Sequence, residues 1–212
     1  STTDKLLKKE FDFCRENQES HKTLIANDLG HIIPYKNNDK ANNIYGDPII
    51  RSETKVQYNK MEAWRVNYHG LQARFKDTNY VLYGSVDDIW LDTKNNSLIL
   101  VDYKSQANAE KVSQETYFDD GYKDGYQTQL DFYSYLLKQQ NLKENISDYA
   151  YLYVVNARGL DDKFENKLLF ESTLIQTKTQ TDYLEDQIKD MINTFELTDT
   201  PDPNKKCKNC AY

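Results

Sequence analysis

The chain has 212 residues, 38% of them hydrophobic and 29% charged, which predicts one folded, water-soluble domain with small additions. No run of about 18 apolar residues occurs, so a membrane span is not expected. Lys plus Arg is 27 against 34 Asp plus Glu, a net charge of -7, which counts against a general nucleic-acid coat but not against an enzyme with clustered carboxylates.

Ser1–Lys5 lacks the apolar core of a signal peptide, and the missing initiator Met points to a trimmed chain. The cysteines, Cys14, Cys207 and Cys210, are odd in number and include one C-x-x-C. That is no disulfide framework and fits a reducing cytoplasm.

In chain order, residues 4–17 predict a helix with Leu6, Leu7, Phe11 and Cys14 on one stripe. Glu10 falls in that stripe, where a buried acid would need a partner; a different helix rotation would leave it at the solvated edge. Residues 18–58 give little pattern, and the polar run 37–43 predicts a mobile loop. A short helix follows at about 59–66, with Met61 and Trp64 on one side.

Residues 70–104 have the texture of strands. Val81, Tyr83, Ser85, Asp87 and Ile89 alternate along one predicted strand, so Asp87 and Asp88 face opposite ways. Lys94–Asn96 is a turn, and 98–101 is an apolar run expected of a strand buried on both faces. Asp102, Tyr103 and Lys104 stand at its end. Residues 105–118 show no strong period. A helix is predicted at 121–139, strands at 149–156 and 167–176, and a last helix at 182–196, with Asp182 and Glu185 suited to a capping box. This order indicates an α/β or mixed α+β domain around a central mixed sheet flanked by helices, over residues 1–200, with a tail at 201–212.

Phosphodiester hydrolysis needs an attacking hydroxide, relief of phosphoryl charge and help for the leaving oxygen, and divalent ions held by carboxylates supply these. Asp87 and Asp102 lie across a predicted hairpin. Neighbouring strands are about 4.8 Å apart, so both acids can reach one magnesium or manganese ion. The Tyr103 backbone carbonyl is a further candidate ligand. Lys104 shares a face with Asp102 and can offset charge on a phosphate.

Gly84-x-x-Asp87, Asp102-x-Lys104 and Gln129-x-x-x-Tyr133, in this order, resemble the PD-(D/E)XK nuclease superfamily. Within it they resemble the RecB-like branch, which includes AddB and the CRISPR-associated exonucleases. The resemblance covers residues 80–137 and, more loosely, the first helix. It implies a restriction-endonuclease-like core and a Mg- or Mn-dependent hydrolase acting on single- or double-stranded DNA, with an exonuclease favoured over an endonuclease; the sequence itself does not decide between those two, between DNA and RNA, or among DNA repair, phage replication and CRISPR adaptation. It implies that Glu10 completes the metal site, where the branch commonly has histidine, and that Gln129 and Tyr133 contact substrate or brace the site. Several such exonucleases hold an iron–sulfur cluster through four cysteines. Cys207 and Cys210 fit that region, but a cluster or zinc site would need flanking cysteines that this chain lacks. The rival reading is an inactive nuclease-fold module that binds nucleic acid or a protein partner. His21, His31 and His69 match no ligand spacing and are expected to be structural or surface residues.

Overall fold

A computed structural model describes residues 2–159 and 166–202. The chain forms two compact units, Ser1–Thr179 and Gln180–Tyr212. The first unit opens with α1 (Thr2–Asn17), α2 (Lys22–Ala26), β1 (Ile32–Pro34) and α3 (Lys60–Trp64). Strands β2 (Leu71–Arg74), β3 (Val81–Gly84), β4 (Asp88–Asp92) and β5 (Ser97–Ala107) follow, then a 3-10 turn (Gly121–Lys123) leading into α4 (Asp124–Lys138), and β6 (Asn145–Ile146), β7 (Tyr149–Ala157) and β8 (Phe170–Lys178). The second unit contains α5 (Leu184–Phe195). Its N-cap is Tyr183 without a side-chain capping bond, so the expected Asp182–Glu185 box does not form the cap.

The main sheet has the order β1-β4-β5-β7-β8, with β6 also paired to β5. It is mixed: β4 and β5 are antiparallel, β5 and β7 parallel, β7 and β8 antiparallel. Strand alternation gives β5 two buried faces. Ile99, Val101 and Tyr103 join Phe11 of α1, while Leu98 and Leu100 join Leu130, Leu136 and Leu137 of α4. The mixed, helix-flanked sheet is the architecture expected. At the β8 edge, the Gln114 side chain donates to the Gln176 carbonyl (2.9 Å) and accepts its N–H (2.7 Å).

Three expectations change. The predicted strand through Val81–Ile89 is two strands in different sheets, since among the described residues β3 pairs with β2 and not with the main sheet. It breaks because the Val86 N–H turns to the Trp64 carbonyl at the end of α3 (3.0 Å). The polar run 37–43 is tied to the chain ahead of α3 by Lys40–Asn59 and Asn42–Pro48 bridges. β5 runs on to Ala107 because β7 pairs with it that far.

Candidate active site

The site forms where β4 stops and β5 continues. Val101 pairs with Asp88, the first residue of β4, so the next stretch of β5 has no β4 neighbour. The Tyr103 N–H donates instead to Asp87 Oδ2 (3.0 Å). Asp87 is held from behind as well: Arg65 Nε donates to its carbonyl (2.9 Å). Asp102, 3% exposed, lies on the same side of β5 as Lys104.

Lys104 Nζ stands 2.7 Å from Asp102 Oδ2, donates to Gln129 Oε1 at 3.2 Å, and sits 4.0 Å from the centre of the Tyr126 ring. Gln129 Nε2 donates to the Tyr133 hydroxyl (3.0 Å), one turn along α4. A Cβ on Gly84 would lie 2.6 Å from Tyr133 Cε1, so glycine is what lets this ring close on the hairpin. Gly84, Tyr133, Gln129, Lys104 and Asp102 thus form one connected chain of contacts.

The electrostatics favour a cation. Asp102 Oδ2 is buried without a hydrogen bond of regular geometry, although Lys104 is beside it. Burial first and the neighbouring Asp87 second raise the Asp102 pKa to about 6, with Lys104 opposing. Two hard oxygen donors in this environment fit a magnesium-like ion.

Glu10 is not brought to this pair. Its side chain is 51% exposed and meets His21 Nε2 (3.1 Å) and Lys22 Nζ (3.3 Å). The buried face of α1 carries Phe11, Cys14 and Arg15, so the helix is rotated toward the solvated-edge alternative. Among the described residues, no three His, Cys, Asp or Glu side chains converge to hold a metal. Instead α1 sends Lys8 to Asp87 Oδ1 at 2.7 Å.

Asp88 occupies the opposite face, fully buried. It pairs with Arg15 and accepts from the Tyr103 hydroxyl (2.6 Å) and the Ile89 N–H (2.8 Å). Burial raises its pKa, but Arg15, Arg65 and Tyr103 outweigh burial, and the net shift is downward. Arg65 also reaches Asp12 (2.5 Å). Sequence reasoning did not single out Lys8, Arg15 or Arg65. The signal available was the run Asp4, Lys8, Asp12, Arg15 at helical spacing beside an apolar stripe.

His21 is structural: it caps α2, accepting the Thr23 N–H, and stacks on Phe11 with centroids 4.2 Å apart. Cys14 is a free thiol whose pKa burial pushes up, the reverse of a reactive or metal-poised thiolate. Cys207 and Cys210 lie outside the described residues. Among the described residues no helix is long and apolar enough to cross a membrane.

No curated protein and no solved structure gives a significant match to the chain. A family model does, over residues 21–212, nearly the whole length, and its description agrees with the motifs joined at the sheet end: the chain belongs to the PD-(D/E)XK nuclease superfamily.

Proposed function

We propose that the protein is a divalent-metal-dependent nuclease of RecB-like type that hydrolyses DNA, acting from ends rather than internally. The observation that carries this reading is the continuity of the three motifs: Gly84 admits Tyr133, Tyr133 holds Gln129, and Gln129 aims Lys104 at Asp102. Asp87 and Asp102, with the Tyr103 carbonyl, would hold magnesium or manganese. When bound, such an ion supplies charge relief to the phosphoryl group and acidifies water.

The side chains do the rest. Lys104 places a positive charge where phosphoryl charge builds, and its contacts to Gln129 and Tyr126 limit where that charge can sit. Gln129 has both amide ends engaged, so it fixes Lys104 and Tyr133 together. Arg65 and the Tyr103 N–H hold the Asp87 backbone and carboxylate in place. A site of this kind would serve DNA processing in the cytoplasm.

The test is cleavage of end-labelled single- and double-stranded DNA, linear and circular, with an RNA control, in magnesium or manganese, beside Asp102→Ala. Loss of linear DNA alone supports an exonuclease and gives its polarity. Nicked circles make it an endonuclease. Metal-independent binding without cleavage supports the inactive-module reading, which the Lys8–Asp87 pair and the position of Glu10 favour.

A further inference from the structure

Two ammonium groups meet the carboxylate pair, and they are held differently. Lys104 is fixed by Gln129 and Tyr126, whereas Lys8 reaches Asp87 from α1. Lys8 Nζ is 2.7 Å from Asp87 Oδ1 and 3.7 Å from Asp4 Oδ2, one helical turn earlier. The side chains of Lys8, Asp87 and Asp4 are 26%, 25% and 30% exposed, so water reaches all three. Lysine is a compact, well-hydrated charge on a flexible stem, suited to leaving one carboxylate for another.

A divalent ion bound by Asp87 and the Lys8 ammonium would claim the same oxygen and repel each other. Resting on the metal-site reading above, we propose that Lys8 is a built-in counter-ion that competes with the divalent ion for Asp87, and that Asp4 is the carboxylate to which its ammonium withdraws. Without metal, Lys8 neutralises the site and steadies α1 against the sheet end. With metal, Asp4 keeps the displaced charge paired. Lys8 thereby sets how much free cation the site requires.

The proposal is tested by titrating manganese into protein without nucleic acid, followed by calorimetry or the loss of free-ion electron spin resonance. Wild type, Lys8→Met, Asp4→Asn and Asp102→Asn are compared. Lys8→Met should bind manganese about fivefold tighter, the range of a partly exposed ion pair. Asp4→Asn should bind more weakly, about twofold, because Lys8 loses its second acceptor. In chelator, Lys8→Met should melt below wild type, and saturating manganese should close that gap. Asp102-dependent binding that Lys8→Met leaves unchanged or weakens overturns the competition and leaves the metal site standing. Wild-type binding that Asp102→Asn does not reduce overturns both. If Lys8→Met does not fold, Asp4→Asn decides, and an unchanged affinity overturns the proposal.

Discussion

Asp87 and Asp88 are adjacent in sequence and opposite in setting. Asp88 is sealed on the α1 face among Arg15, Tyr103 and its own strand, a charge matched by fixed donors. Asp87 faces the other side, its side chain 25% exposed, with one oxygen on Lys8 and the other on the Tyr103 N–H; beside it stands Asp102, whose Oδ2 is buried without a regular hydrogen bond. Matched burial is how a protein keeps a charge for structure. A carboxylate held at the water's edge by a hydrated, flexible lysine is one for which another cation can compete. Charge density alone would not separate the two acids; their burial and the mobility of their partners do.

The comparison can be broken in order of effect. Lys104→Ala should lower cleavage about a hundred- to a thousandfold with the melting temperature nearly unchanged; full activity would return Lys104 to the structural side. Arg15→Met should cost about 3–5 kcal/mol by leaving Asp88 buried and unpaired, measured by urea unfolding. A cost near zero would show that Asp88 is not held by that pair.

Asp88 and Asp102, the buried neighbour of Asp87, should respond to pH with opposite signs. Asp88 has a lowered folded pKa, so its stabilisation is present above its unfolded value near 3.8 and is lost as pH falls through the folded value. Asp102 has a raised one, so its contribution is full below 3.8 and lost as pH rises through about 6. In chelator at pH 7, Asp102→Asn should therefore exceed wild type by about 1–3 kcal/mol, and the two should converge near pH 4. Asp88→Asn should be less stable than wild type at pH 7 and lose less as the pH falls below 4. Parallel profiles would erase the distinction.

Gly84→Ala should cost about 1–3 kcal/mol through collision with Tyr133, and reduce cleavage as well. Adding Tyr133→Ala should recover much of the stability and none of the activity. The smallest effect belongs to Glu10→Gln, a half-exposed carboxylate whose pairs with buried His21 and exposed Lys22 should together be worth under about 1 kcal/mol, with cleavage unchanged. A lost activity there would bring Glu10 into the site.

Much of this arrangement was legible in the sequence. The turn at 94–96, the apolar run at 98–101 and the helix predicted at 121–139 gave the hairpin and helix that carry Asp102, Lys104, Gln129 and Tyr133. Two things were not. The rotation of α1 was ambiguous because Leu6 and Leu7 are adjacent apolar residues, and only Phe11, Cys14 and Arg15 decide it. Asp87 and Asp88, to which Lys8 and Arg15 turn, lie 79 and 73 residues away, so the helical run Asp4, Lys8, Asp12, Arg15 places charges beside the apolar stripe without revealing what they meet. The break between β3 and β4 was hidden for the same reason, since the Val86 N–H is claimed by distant Trp64.

Gln114 has a consequence of its own. Its amide occupies both outward-facing backbone groups of Gln176 on an edge strand, as a one-residue stand-in for a neighbouring strand. An open row of such groups is a template on which further chains can stack. With Gln127, which donates to the Lys178 carbonyl (3.0 Å), Gln114 closes the C-terminal end of that row against such stacking.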